Sequence, residues 1–291
     1  MRISWLWLAA FAASFVSANP ITVKDDAGAV VRLSQPAQRI ISLAPHATEL
    51  LFAAGAGQKV VAVSEWSDFP AAATKLPKVS SVNGIQFEKV LALRPDLVVL
   101  WGSGQGQRDA ERLRQLGLSV FLSEPRSLQA VADSLLRLGQ LAGSTAQAQH
   151  AAQQFQQQWQ QLQQRYASAQ PRLSVFVQIS ARPLLTIGGR QFLSDLLRGC
   201  GGSNVFADVG LDAFPVLPEQ VLRRQPQVML TLGENTATLQ QWQSWPQLPA
   251  IQQQQLYSLP ADPLSRPGTR LVEGAKMLCH TLAQARSHFQ Q

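Results

Sequence analysis

The residues able to do chemistry in this chain do not assemble a catalytic set. Gly102, Gly104 and Gly106 follow an apolar run and resemble a phosphate loop, but the third glycine stands one position too early for a dinucleotide fingerprint. Gly102-Ser103-Gly104 lacks the flanking spacing of a Gly-x-Ser-x-Gly nucleophile elbow. His46 lies between Ser42 and Glu49, a purely local cluster without a distant third partner. His150, His280 and His288 fall on polar helical stretches and do not make a three-histidine metal site with it. What remains is a set for binding. Pro45-His46-Ala47-Thr48, Glu65-Trp66-Ser67-Asp68-Phe69, Trp101-Gly102-Ser103, Ala181-Arg182-Pro183, Phe214, and Asp262 to Arg266 all sit just beyond expected strands. In α/β sheets ligands meet those loops. Aromatic faces, hydroxyls and glycines together suit a large, flat, partly apolar ligand. For any one of these aromatics core packing is the stronger claim; Trp66 and Trp101 stand out, because each follows a strand beside Ser, Asp or Gly.

Elements that would position such loops are legible. Glu88-Lys89-Val90-Leu91, three residues, Pro95, two residues and an apolar run reappear as Glu219-Gln220-Val221-Leu222, three residues, Pro226, two residues and an apolar run. Each copy reads as a short helix, a proline stop and a buried strand, since proline bars the residue before it from helical geometry. The apolar runs do not alternate, as expected for strands covered on both faces. One unit in each half predicts two α/β lobes of related design. Glu88 and Glu219 open their helices, where a carboxylate favours the positive end of the dipole; docking of a partner is the sharper reading.

The rest of the chain falls into place around these units. Ile21 to Leu33 predicts a hairpin about Asp25-Asp26-Ala27-Gly28. Leu128 to about Ala169 predicts helix, broken at Gly143-Ser144. Its second part is rich in glutamine yet carries Phe155, Trp159, Leu162 and Tyr166 at spacings of three and four, the mark of a long solvated helix with one buried edge. The expected organisation is an N-terminal lobe over 19–143, a linking helix over 144–169 and a C-terminal lobe over 170–291. Pro260 to Gly268 reads as a proline-rich loop, and Arg270 to Phe289 as a closing helix.

Composition narrows the class. The chain has 291 residues, 15% of them charged, with a formal net charge of +7. The basic residues are scattered, so nucleic-acid binding is not expected. Met1 to Ala18 carries Arg2, an apolar stretch from Ile3 to Val16 and Val16-Ser17-Ala18, the pattern of a secretory signal cleaved before Asn19. Cys200 and Cys279 are the only cysteines, and in an exported chain such a pair reads as a disulfide.

Arg39-Ile40-Ile41-Ser42-Leu43-Ala44-Pro45, Thr48-Glu49-Leu50, Glu88-x-Val90, Leu93-x-Pro95-Asp96-Leu97-Val98 and Cys200-Gly201-Gly202 together resemble the periplasmic substrate-binding proteins of metal-chelate ABC importers. The resemblance runs over nearly the whole mature chain. It implies the class III architecture: two Rossmann-like α/β lobes joined by one long rigid helix. It further implies a soluble periplasmic monomer without enzymatic activity, resident cofactor or direct protein–metal bond. Glu88 and Glu219 match the positions that dock on permease arginines. Ser64-x-Trp66-Ser67-Asp68-Phe69-Pro70, Trp101, Phe214, Asp262 and Arg266 resemble the ligand side of corrinoid-binding members, those that take cobalamin or a close relative, and Cys200 and Cys279 match a disulfide there. His46 joins this expected ligand set. Val82 and Pro263 stand where such members carry further aromatics. Haem or a ferric siderophore on the same scaffold is the alternative, with His46 or Tyr257 as axial candidates for haem and Arg182 and Arg266 for a siderophore. An exported hydrolase is the reading from another class.

Overall fold

The structure is a computed structural model that describes residues 20–103 and 106–290. The expected signal segment Met1 to Ala18, its cleavage point, and Gly104 and Gln105 of the glycine loop lie outside the described residues.

The first half opens on the expected hairpin, β1 (Ile21–Lys24) and β2 (Val30–Leu33), paired antiparallel. Its turn is closed by Asp25, whose Oδ1 accepts from the amides of Ala27 at 3.0 Å and Ala29 at 2.8 Å. There follow β3 (Ile40–Ser42), α1 (Pro45–Ala53), β4 (Val60–Ser64), β5 (Lys78–Ser81), β6 (Gly84–Ile85), α2 (Phe87–Ala92), β7 (Leu97–Trp101), α3 (Gly106–Gln115) and β8 (Val120–Ser123). The sheet order is β6-β5-β4-β3-β7-β8, parallel throughout except for the β5–β6 pair. Ile40, Ile41, Val98 and Val99 are all fully buried, which accounts for strands that do not alternate.

Helices α4 (Leu128–Ala142) and α5 (Thr145–Tyr166) come next, separated at Gly143, which takes a left-handed φ of 69°. At 22 residues α5 is about 33 Å long. Its solvent side is glutamine. Its other edge runs Ala148, Ala152, Phe155, Trp159, Leu162, Tyr166, all packed on the main core. Two glycines let it approach closely. A Cβ on Gly139 of α4 would meet that of Ala148 at 2.1 Å, and one on Gly199 would meet the Trp159 ring at 2.3 Å. The linking helix therefore packs on both halves along its length, on α4 and α1 of the first and on α6 and α10 of the second.

The second half contains β9 (Leu173–Ala181), β10 (Leu184–Ile187), α6 (Phe192–Gly199), β11 (Gly202–Asn204), β12 (Ala213–Pro215), α7 (Pro218–Arg224), β13 (Val228–Leu232), α8 (Pro249–Gln252), β14 (Leu256–Leu259), α9 (Ala261–Ser265) and α10 (Leu271–Ser287). Its sheet runs β12-β10-β9-β13-β14, with β11 beside the start of β9. This sheet is mixed: β10 pairs antiparallel with both β9 and β12. The reason is local. Only Arg182 and Pro183 join β9 to β10, and so short a connection permits only a hairpin. The expected loop over 260–268 also contains a turn of helix, α9.

The repeated units occupy equivalent places. Strands β7 and β13 are both interior to their sheets, β7 between β3 and β8, β13 between β9 and β14. Val90 and Val221 are each fully buried. Arg94 and Gln225, the residues before Pro95 and Pro226, both leave the helix at a φ of 46°. The expected disulfide joins Cys200, at the end of α6, to Cys279 of α10 across 79 residues. On the chain-entropy model a closure of that length stabilises by about 4 kcal/mol.

Candidate ligand cleft between the lobes

Strand ends from the two halves face a common cavity of about 170 Å³. Trp101, Ser103, Glu124 and Arg126 line it from the first lobe; Arg190, Phe192, Asp212 and Pro267 line it from the second. Trp101 ends β7 as expected. Its indole is half-buried and stands edge-on to His46, ring centroids 4.7 Å apart at 67°.

His46 does not line the cavity. It is fully buried near the start of α1, and its Nε2 lies 3.0 Å from Ser123 Oγ at the end of β8. Its place beneath Trp101 makes it a support for the aromatic. Burial pushes its pKa down to about 3, and hydrogen bonding at Ser123 works only weakly the other way. The folded chain thus keeps a neutral imidazole, while the unfolded chain takes up a proton below about pH 6.5. Stability should fall as pH drops from about 6.5 toward 3. Between pH 6.5 and 4.5 this group alone should cost about 2–3 kcal/mol. We expect His46→Gln to flatten that part of the profile of unfolding free energy against pH; an unchanged slope would refute the assignment.

Ser67 is likewise inside. Its Oγ lies 2.9 Å from both Thr48 Oγ1 and Ser64 Oγ, and Thr48 Oγ1 reaches Ser42 Oγ at 2.8 Å. These buried hydroxyls tie the loop after β4 to β3 and α1, so Ser67 positions the loop from inside.

Asp68, Asp262 and Arg266 do come together. Arg266 donates to Asp68 Oδ1 at 2.6 Å and pairs with Asp262 at 3.1 Å. Partial burial raises the Asp68 carboxyl, but the Arg266 hydrogen bond and charge outweigh it and hold the group below the usual carboxylate range. The pair spans the two lobes. Beside it runs a second interlobe pair that the sequence reading missed. Arg270 donates to Glu49 Oε1 at 2.7 Å and lies 4.5 Å over the Phe69 ring. Glu49 is only 2% exposed. Burial pushes its carboxyl up, and the Arg270 hydrogen bond and charge offset that only in part. A Cβ on Gly268 would sit 2.6 Å from Glu49 Oε2, so the second lobe's loop lies directly on this carboxylate. The signal available in the sequence was one carboxylate in α1 among Ala47, Thr48, Leu50 and Leu51, all buried. On the far side of the cavity Arg126 donates to Asp212 at 2.9 Å, again lobe to lobe.

The remaining expected residues scatter. Trp66 is 60% exposed on the loop after β4 and does not line the cavity. Val82 is 82% exposed, on the turn after β5. Phe214 lies in β12, edge-on to Phe206 at 5.6 Å, and packs on the core of its own lobe away from the cavity. Tyr257 donates to Gln255 at 2.6 Å. Glu88 and Glu219 are exposed in the first turns of α2 and α7.

Residues 40–263 match the family model described as periplasmic binding protein. A vitamin B12-binding protein of Vibrio cholerae serotype O1 is 40% identical over 245 residues, 84% of this chain and 88% of that one. The crystal structure of the periplasmic vitamin B12 binding protein BtuF of Vibrio cholerae superposes with a TM-score of 0.79, at 40% identity, covering 86% of this chain and 98% of that one. The periplasmic heme-binding protein RhuT from Roseiflexus sp. RS-1 gives a TM-score of 0.75 at 23% identity, covering 85% of this chain and 98% of that one, a likeness of fold alone. The two-lobed α/β architecture, the helix that joins it and these matches agree: the chain belongs to the periplasmic binding protein family.

Proposed function

We propose that this chain captures a corrinoid, cobalamin or a close relative, between its lobes and delivers it to the permease of an ABC importer. The observation that carries this is Trp101, an aromatic held at a strand end by His46 and facing the interlobe cavity, in a chain 40% identical to a vitamin B12-binding protein. Trp66, exposed at the rim of the same lobe, offers a second aromatic face. Glu88 and Glu219 are the docking charges. The chain is exported, its signal is removed before Asn19, and it works in the periplasm as a soluble monomer divided at 19–143, 144–169 and 170–291. It carries out no reaction and needs no resident cofactor.

The cavity of about 170 Å³ is small for a macrocycle, since pockets for drug-sized ligands hold roughly 300–1,000 Å³. Opening of the interlobe pairs of Arg266, Arg270 and Arg126 would enlarge the space between the lobes. The two axial candidates do not favour haem: His46 is buried beside Trp101, and the Tyr257 hydroxyl is engaged by Gln255. The test is direct. The chain from Asn19 is mixed separately with cyanocobalamin, cobinamide and haem, desalted, and its visible spectrum recorded. Retained corrin absorbance at about one per chain is expected. A Soret band in place of corrin absorbance, or no retained chromophore, would overturn the reading.

A further inference from the structure

We propose that three interlobe ion pairs clasp the unliganded chain shut, and that ligand enters only those molecules in which they have parted. The kinetic part of this inference rests on the corrinoid reading; the conformational part does not.

The pairs stand on both sides of the ligand cavity. On one side Arg126 of the first lobe meets Asp212 of the second at 2.9 Å. On the other, Arg266 and Arg270 of the second lobe meet Asp68 and Glu49 of the first at 2.6 and 2.7 Å. Arg270 also lies 3.9 Å from Asp68, so these two pairs form one network. Arg126 and Asp212 line the cavity wall, as do Ser265 and Pro267, the neighbours of Arg266. The strap from Arg266 to Arg270 is thus pinned to the opposite lobe at both ends. Between the pins Gly268 is seated on Glu49, where a Cβ would fall 2.6 Å from Oε2.

A second cavity gives the lobes room to move. It holds about 490 Å³ and is lined by Ser127 and Gln129 of the first lobe, Trp159 of α5, and Asp195 and Arg198 of α6. The ligand cavity touches the same two stretches just upstream, at Pro125 and Arg126 and at Gln191 and Phe192. The two cavities therefore flank one interlobe seam, where the start of α4 faces α6. No ion pair crosses the second cavity among the described residues; Arg198 pairs with Asp195 inside α6 at 3.1 Å. One side of the seam is clasped and the other is not. Rocking about the seam, a hinge motion, would open the clasped side into the free volume of the other.

Salt can work such a clasp. Arg126, Asp212 and Asp68 are each about half exposed. Exposed ion pairs contribute little and are screened as ionic strength rises. When only the open form takes ligand, apparent affinity is reduced by the open fraction. Parting a pair raises that fraction, so association speeds up. Dissociation starts from a form whose pairs are already parted, so its rate stays the same.

The experiment follows cyanocobalamin, which carries no net charge, by stopped-flow in about 10 mM and about 1 M sodium chloride, where the Debye length falls from about 30 to about 3 Å. Wild type should show kon about twofold to fivefold higher at high salt, with koff unchanged. At low salt Arg126→Gln and Asp212→Asn should each raise kon about twofold. The double variant should be no faster than either single one, because each already breaks the pair. Thermal unfolding controls for folding. Small-angle scattering without ligand should show a radius of gyration that rises with salt. A wild-type kon that is unchanged or lower at high salt would overturn the proposal. So would variants that raise koff instead, since Arg126 and Asp212 would then be ligand contacts. A radius of gyration indifferent to salt would overturn the clasp whatever the ligand. If no corrinoid binds, the corrinoid reading falls, and the scattering still decides the clasp.

Discussion

A chain carrying Glu88→Arg together with Glu219→Arg is expected to bind its ligand with unchanged affinity and to support no uptake. Both side chains are exposed, each in the first turn of a short helix, α2 in one lobe and α7 in the other. The helices are held alike by a buried valine, Val90 or Val221, and end alike in a left-handed residue before proline. Two carboxylates are thereby presented in matching ways from two rigid halves. If arginines on a permease receive them, reversing both charges turns two attractions into two repulsions. Like-charge juxtaposition across an interface costs several kcal/mol, enough to abolish a transient complex. Neither residue lines the cavity, so capture is untouched. The check is paired: titration of the purified double variant, and uptake of labelled corrinoid by cells whose only binding protein is that variant. Normal uptake would sink the docking assignment, whereas lost binding would place the glutamates in the site.

Arg270→Met should be the most damaging single change in the cleft. It leaves Glu49, 2% exposed, without its cation. Removing one partner of a buried pair typically costs about 3–5 kcal/mol. The pair joins the lobes, so part of that cost can be relieved by separating them and admitting water to the carboxylate. We therefore expect both a lower unfolding free energy at pH 7.5 and a larger radius of gyration in solution scattering. Glu49→Gln in the same chain should restore much of both. The pH dependence has a definite sign. The Glu49 carboxyl is already raised by burial, and loss of Arg270 raises it further. A raised acid favours the folded state at low pH and loses that contribution as pH rises through its folded pKa. The deficit of Arg270→Met relative to wild type should accordingly shrink on acidification. A deficit that grows would mean that Glu49 is not the group left stranded.

The architecture was legible because it rests on local chemistry. A proline after a short amphipathic helix stops it wherever it lies, and an apolar run without alternation needs cover on both faces. Phe155, Trp159, Leu162 and Tyr166 specify a helix edge whatever it packs on. These signals placed β7, β13 and α5, and the cysteine pair fixed one crosslink. The antiparallel β10 and β12 were not legible, because a three-residue or four-residue strand carries too little pattern to declare its direction.

The site was legible only in part, and for a different reason. Residue type tells what a side chain can do, while burial tells whether it can be reached. Trp101 and Trp66 have the same chemistry after similar strands, yet one lines the cavity and the other stands in solvent. His46 and Ser67 have ligand-like chemistry and are spent inside, on Trp101 and on a hydroxyl cluster. Glu49 and Arg270 are 221 residues apart, and Asp68 and Arg266 are 198 apart. The sequence by itself determined two α/β lobes and their joining helix, because each follows from neighbours along the chain, and the disulfide, because the exported chain has only two cysteines to pair. Which side chains meet across the cleft was decided by tertiary structure alone, because the energy of a charge or a donor depends on the partner and the solvent that the fold brings to it.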